Sequence, residues 1–207
     1  MTQQNQMPPT DGAPVTTVRL QNIAQSYGQS AALMAAVEVG MFTAISKGAG
    51  TYEEVATALD IHLTNAERLM VMLCAAGLLE KAQGRHRNAP DVERFLVEGS
   101  PGYMGPWITF TKPQWNEWGR LGEHIRTREL KVMGAIETFT VADARRYHNA
   151  TYSIGMGAGR RFVRQVDLAG RKRIMDIGGG SGAYCIVAAV TLANSILFLV
   201  LACKIEF

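Results

Sequence analysis

The sequence predicts helices over most of the chain and the opening of a parallel α/β sheet near its end. Apolar residues recur at helical spacing in residues 18–45, and two S/T-x-x-E signatures and a short hairpin pattern follow. Later, an apolar strand pattern runs directly into a glycine cluster and a further helix. We therefore expect a mainly α N-terminal region of winged-helix type, followed by the first β-α-β unit of a Rossmann-like α/β domain.

Composition places the chain among globular proteins and gives no strong indication of a partner. It has 207 residues, of which 47% are hydrophobic and 19% charged, with a formal net charge of +3. Cys74, Cys185 and Cys203 lie in apolar runs without C-x-x-C spacing, which predicts neither a disulfide framework nor a metal site. Residues 1–16 are polar and lack a signal-peptide pattern, so we expect a disordered tail and a cytoplasmic protein.

Residues 17–100 are expected to form one helical domain. In its first apolar stretch, Gly28 and Gly40 are the expected breaks, which would give two packed helices. This part of the chain therefore has its own pattern of helices.

Two capping boxes and a glycine define the central helices of this domain. Thr51 and Thr64 are each followed three residues later by Glu, which predicts helices over 52–59 and 65–76. Gly77 ends the second helix, and a hairpin or wing pattern follows it. Helix, helix and wing in this order are typical of a winged helix.

A winged helix first suggests DNA binding, but the helix that would read DNA has the wrong composition. Residues 69–73 are all apolar, and Arg68 is their basic neighbour, whereas recognition needs polar and basic side chains. Arg85, His86 and Arg87 of the wing could contact phosphate, although three such residues also fit a solvated hairpin tip. We expect the apolar helix to be buried on all sides, covered by a partner subunit, and expect no nucleic acid partner.

Residues 101–170 are expected to form a helical connector that contains all three tryptophans of the chain. Aromatic residues at helical spacing are typical of a core, and they also fit an apolar wall for a flat substrate. A long helix is predicted over 140–166, with a break or kink among its closely spaced glycines at 155, 157 and 159. The candidate pocket residues are Trp107, Phe110, Trp115 and Trp118.

The strongest functional signal is the glycine cluster that follows the apolar strand pattern of Ile174 to Ile177. A helix predicted over 183–193 comes next, so backbone N–H groups would point at a ligand above the turn. The spacing disfavours a P-loop and satisfies only the relaxed form of the dinucleotide fingerprint. The alternative is a tight turn without a ligand.

The segment from Asp176 to Gly182 resembles motif I of the class I S-adenosylmethionine-dependent methyltransferases. Its triple glycine is typical of their small-molecule O-methyltransferase branch, of the caffeate and acetylserotonin type. The resemblance implies an N-terminal winged-helix dimerisation domain, a homodimer, and acceptor-lining helices in the connector. It also implies that the amino-acid part of S-adenosylmethionine lies beside Asp176, Gly178, Gly179, Gly180, Ser181 and Gly182.

The same family carries an aromatic residue, then Met, then Ser at four-residue intervals before motif I. Tyr147 matches the aromatic position and is implied to contact the cofactor, but Thr151 and Gly155 replace the other two residues. His148 could act as a base, or it could be a surface histidine or one that is already hydrogen-bonded. No catalytic residue is assigned, because the family's base comes later than the end of this chain.

The end of the chain departs from the family pattern. A second strand is predicted over 196–201, but Glu206 is then the only candidate for the carboxylate that binds ribose hydroxyls. We expect a truncated chain, roughly the first 60% of a family member, with weak or no activity of its own. Its apolar strand would be an exposed edge that aggregates or is covered by a partner. A membrane tail anchor over 186–203 is an alternative that we disfavour.

The function that the resemblance implies is methyl transfer from S-adenosylmethionine to a hydroxyl of a small aromatic or secondary-metabolite acceptor. An amine or carbon acceptor is also compatible. The first alternative is a non-catalytic dimerising module that pairs with a full-length methyltransferase subunit. The second is a winged-helix regulator that binds DNA.

Overall fold

The structure, a computed structural model, describes residues 15–126, 140–169, 171, 173–191 and the backbone of 196–200. The predictions for the tail over 1–14, for Cys203 and for Glu206 lie outside these residues. The N-terminal part contains five helices and one antiparallel hairpin in the order α1 (Val18–Glu38), α2 (Met41–Ser46), α3 (Tyr52–Leu59), α4 (Leu63–Ala75), β1 (Leu79–Ala82), β2 (Arg85–Asn88) and α5 (Pro90–Phe95).

Shorter helices and the α/β unit follow. The order continues with α6 (Gly105–Phe110), a 3-10 turn (Lys112–Gln114), α7 (Trp115–Gly119), α8 (Leu121–His124), α9 (Val141–Gln165), β3 (Arg173–Ile177), α10 (Ala183–Thr191) and β4 (Ile196–Val200). A helical N-terminal region followed by the start of a parallel sheet is the fold class that the sequence predicts.

The first apolar stretch is broken at one glycine, not two. Gly40 has φ +75° between α1 and α2, a left-handed conformation that glycine adopts without strain. The predicted break at Gly28 is wrong, since α1 continues through it. A β-carbon at Gly28 would lie 3.2 Å from Cε of Met72, so this glycine lets α4 approach α1 closely.

One of the two predicted capping boxes forms. At α3, the Thr51 hydroxyl accepts from the Glu54 amide at 3.2 Å, and the Glu54 carboxylate accepts from the Thr51 amide at 3.1 Å. The box predicted at Thr64 is wrong, because α4 begins two residues earlier than predicted, at Leu63. There Nδ1 of His62 accepts from the Thr64 amide at 3.2 Å and caps the helix instead.

The hairpin and the helices around it enclose the main core. Gln83 and Gly84 both have positive φ, 52° and 79°, which gives the turn the twist that a two-residue hairpin needs. The core lies between α1, α2, α3, α4, α5 and the hairpin. Its largest fully buried side chains are Phe42, Met41, Met70, Leu73, Val55 and Val92.

The predicted break in the long helix is wrong, and its glycines serve packing. α9 runs unbroken through all three of them. A β-carbon at Gly155 would lie 2.8 Å from Cβ of Ala183, and one at Gly159 would lie 3.2 Å from Cγ2 of Val187. The absent side chains therefore let α9 lie directly against α10.

The α/β unit forms as predicted, and the spanning-helix alternative does not. β3 and β4 are parallel, with Arg173 opposite Ile196 and Ile177 opposite Val200, and α10 connects them. Residues 196–200 are a strand rather than the continuation of α10. Within the described part of the chain, no helix is long and apolar enough to cross a membrane.

Candidate functional site

The turn between β3 and α10 has a backbone that only glycine adopts readily. Gly178, Gly180 and Gly182 have φ of +74°, +53° and +73°. The turn is closed by the Gly182 amide, which donates to the Gly179 carbonyl at 2.8 Å, and α10 begins immediately afterwards. The first amides of a helix have no intrahelical acceptor, so the start of α10 offers free N–H groups at this turn.

The backbone of the turn is not covered by neighbouring side chains at Gly178 and is only loosely approached at Gly180. A β-carbon on Gly178 would meet no atom within 4 Å. One on Gly180 would have the Gly178 carbonyl at 3.8 Å and the His148 ring at 4.0 Å. A ligand can therefore approach the backbone at these two residues.

Asp176, at the end of β3, faces the first turns of α10. Its half-buried carboxylate accepts a long hydrogen bond of 3.8 Å from Sγ of Cys185. Burial, and then the negative charge of Asp176, raise the pKa of the Cys185 thiol. Cys185 is consequently a protonated, buried packing residue rather than a nucleophile.

Four rings form a continuous series, the aromatic row, from α6 to the glycine turn. The ring centroids of Trp107 and Phe110 are 6.1 Å apart and nearly parallel, at 11°. Phe110 then meets Tyr147 edge-on at 5.8 Å, and Tyr147 meets His148 in the same way at 5.8 Å. Since His148 lies against Gly180, the row connects the connector helices to the turn.

The structure thus brings together Tyr147, the glycine turn and two of the four predicted pocket residues. Trp115 and Trp118 lie on α7, and neither has a ring contact among the described residues. Trp118 is 56% exposed. The tryptophans therefore do not form one cluster, because the chain turns between α6 and α7.

A cleft of about 620 Å³ lies between α6 and the start of α9, beside Phe110. It includes two arginines, Arg145 and Arg146, which sequence reasoning did not select. The α9 residues that line the cleft recur at helical spacing in the sequence. This pattern indicates a cleft only when the position of α6 opposite them is known. The lining residues are Pro106, Thr109, Phe110, Val141, Ala142, Arg145, Arg146 and Asn149.

His148 is not the fully hydrogen-bonded histidine that the sequence offered as one interpretation. The residue is half-buried, and its Nδ1 atom is buried without a hydrogen-bond partner in the described part of the chain. Thr151 and Gly155, which follow on this face of α9, present no free polar side chain to the turn. The Thr151 hydroxyl donates to the Tyr147 carbonyl at 2.9 Å, and Gly155 has no side chain.

A second feature is an exposed apolar surface on the N-terminal domain. The first half of α1 carries Leu20, Ile23 and Tyr27 at 58%, 60% and 67% exposure. On α4, Val71 and Met72 are 52% and 38% exposed in the single chain, so burial of this helix on all sides would need the partner subunit and stays a prediction. We call these residues, together with Val18 of α1, the α1/α4 surface.

The comparisons decide the family. Residues 21–98, from α1 to just after α5, match the O-methyltransferase dimerisation domain. The 3-hydroxy-5-methyl-1-naphthoate 3-O-methyltransferase of Streptomyces sahachiroi is 33% identical over 172 residues, which are 79% of this chain and 49% of that protein. The chain belongs to the O-methyltransferase family.

Two further relatives agree with this assignment. The N,N-dimethyltransferase OxyT of Streptomyces rimosus is 31% identical over 85% of this chain and 54% of that protein. Human N-acetylserotonin methyltransferase, solved in complex with S-adenosylmethionine, shares the fold with a TM-score of 0.76 at 20% identity, over 92% of this chain and 60% of that one. The chain spans about half the length of the curated relatives it matches.

Proposed function

We propose that this O-methyltransferase chain binds S-adenosylmethionine at the turn between β3 and α10. In the reaction of the proposed enzyme, a hydroxyl oxygen of a small aromatic acceptor takes the methyl group and loses its proton. The observation that carries the proposal is the open turn, with three left-handed glycines, at the end of the aromatic row.

The residues present fit this cofactor. Its amino-acid part needs polar backbone groups, which the turn and the start of α10 supply, and close access, which Gly178 and Gly180 allow. Its positive sulfonium is stabilised by an aromatic face, and Tyr147 lies beside His148 at the turn. S-adenosylmethionine supplies an electrophilic methyl carbon, and the protein's main contribution is to align the acceptor oxygen with it.

The acceptor would lie on the connector side of the turn. Trp107 and Phe110 are stacked there and join the row through Tyr147, which favours a flat, apolar acceptor. We therefore propose that residues 101–170 are a helical connector that supplies the acceptor-pocket helices, and that residues 171–207 form the opening part of the cofactor-binding domain. Trp115 and Trp118 are proposed to be outside the pocket.

The N-terminal domain, residues 17–100, would form a homodimer through the α1/α4 surface. Ten consecutive residues at the start of α1, 18–27, are exposed, although several are large and apolar. Contiguous apolar surface of this kind marks an interaction site, and a second copy would bury it.

Two alternatives differ in how the structure supports them. A dimerising module that pairs with a full-length methyltransferase subunit is favoured by Met175 and Ile177, which are 62% and 76% exposed on one face of β3. DNA binding is not favoured, because the wing arginines are engaged within the domain. Arg85 binds the Glu54 carboxylate through two nitrogens, at 3.0 and 2.8 Å, and the remaining wing arginine forms an ion pair across the hairpin.

Calorimetric titration with S-adenosylmethionine tests the proposed site. The chain should bind, and Gly180→Val should abolish binding, because a β-branched side chain both strains the left-handed backbone and fills the turn. Gly157→Ala is the matched control, since Gly157 is exposed and a β-carbon there meets nothing within 4 Å. Equal affinity of Gly180→Val and the unchanged chain would show that the cofactor binds elsewhere, and no binding to the unchanged chain would favour the dimerising module.

A further inference from the structure

The buried Nδ1 of His148 is an unsatisfied polar atom at the edge of the glycine turn. Nδ1 and Cε1 are the ring atoms nearest Gly180, each 4.0 Å from the position of a β-carbon on that residue. The ring is positioned by its edge-on contact with Tyr147. His148 is thus held at the turn with one nitrogen facing it, and that nitrogen has no hydrogen-bond partner among the described residues.

A buried nitrogen without a partner costs free energy, and native proteins retain few of them. Because Nδ1 has almost no accessible surface in the ligand-free chain, a ligand seated on Gly178 and Gly180 contacts it only after the ring edge turns towards the ligand, and the hydrogen bond then removes that cost. Thr151, which follows three residues after His148 on α9, already donates its hydroxyl hydrogen to the Tyr147 carbonyl. Nδ1 of His148 is therefore a polar atom of α9 that lies beside the turn without a hydrogen-bond partner in the described part of the chain.

The electrostatics of the turn select which ligand group lies there. The free N–H groups and the dipole of the N-terminus of α10 favour negative charge. The amino-acid part of S-adenosylmethionine and of its product S-adenosylhomocysteine carries one negative group, the α-carboxylate. A neutral histidine protonated at Nδ1 donates to such a group.

We propose that His148 is a cofactor-binding residue whose Nδ1–H donates a hydrogen bond to the α-carboxylate of the cofactor. The inference rests on the proposed function and extends it to a residue outside the family's glycine motif. It also gives a role to the position next to Tyr147 on a helix face where the other family contacts, at Thr151 and Gly155, have been replaced.

Three substitutions of His148 test which ring nitrogen binds the cofactor. In His148→Asn, the amide nitrogen is bonded to Cγ as Nδ1 is, whereas His148→Gln places its amide near Nε2, and His148→Phe retains the ring without nitrogen. Calorimetry with S-adenosylhomocysteine should give an affinity within about threefold of the unchanged chain for the Asn variant, and about tenfold to a hundredfold weaker for Gln and Phe. Circular dichroism establishes that each variant is folded.

A second ligand separates the hydrogen bond from ring packing. 5′-Methylthioadenosine lacks the amino-acid part, so its affinity should be the same in all variants. Undiminished binding of S-adenosylhomocysteine by His148→Phe would overturn the inference while the proposed function stands, and so would a parallel loss of both ligands. Failure of the unchanged chain to bind either ligand would overturn the proposed function together with the inference.

Discussion

Substituting alanine for two glycines of α9 is expected to have opposite effects on stability, because only one of the two lies against α10. In Gly155→Ala the new methyl would lie 2.8 Å from Cβ of Ala183, well inside van der Waals contact. Ala183 Cβ is attached directly to the backbone and cannot rotate away, so the helices must separate. In Gly157→Ala the methyl meets nothing within 4 Å.

The two effects can be given magnitudes. Replacing a helical glycine by alanine stabilises a helix by about 0.5–1 kcal/mol, and both variants gain this. Overpacking costs about 1–3 kcal/mol and applies to Gly155→Ala alone. We therefore expect Gly157→Ala to be more stable than the unchanged chain, and Gly155→Ala to be less stable than Gly157→Ala by about 1–3 kcal/mol.

Thermal unfolding followed by circular dichroism measures this difference. For a chain of this size, about 1 kcal/mol corresponds to a change in Tm of about 2–4 °C. Comparing the two variants with each other cancels the helix propensity they share. If Gly155→Ala melts at or above the Tm of Gly157→Ala, the close approach of α9 and α10 does not exist, and the position of His148 at the turn would need revision.

Three further predictions concern other parts of the molecule. Hydrogen bonds from Arg85 and from two backbone amides lower the pKa of Glu54 from 4.5 to about 2, so the contribution of Glu54 to stability is complete above pH 4.5 and is lost as the pH falls towards 2. The difference in Tm between the unchanged chain and Glu54→Gln should therefore disappear over that range. A difference that stays constant would contradict this prediction. Ile23→Asp should shift the mass in light scattering from dimer to monomer and Gln25→Asp should not, whereas an unchanged dimer mass for Ile23→Asp would place the interface elsewhere. Ile177→Thr should reduce concentration-dependent aggregation, since Ile177 is 76% exposed. Equal turbidity of this variant and the unchanged chain would show that aggregation does not involve this face of β3.

Local signals in the sequence predicted most of the helices and strands. The Thr51 capping box, the turn glycine at Gly40 and the strand-turn-helix around Gly180 depend on neighbours within a few residues, so their patterns can be interpreted without the fold. The prediction at Thr64 was wrong because His62, which is not a common capping residue, accepts from the second amide of α4. The same limit applies at Gly28, where tertiary packing rather than backbone conformation explains the glycine.

The candidate site was predictable only in part, for a physical reason. The glycine motif is continuous in sequence, but the aromatic row joins α6, α9 and the turn, which no spacing connects. His148 in particular has no motif around it. Its significance comes from the distance to Gly180 and from an unpaired Nδ1, and both depend on the close helix contact that Gly155 permits.

Hydrogen exchange of the backbone amides, with and without S-adenosylhomocysteine, tests most directly whether the glycine turn is the cofactor site. We expect ligand-induced protection concentrated in residues 178–186 and a smaller effect around His148, with the N-terminal domain unchanged. Protection confined to another part of the chain, or no protection with saturating ligand, would contradict this expectation.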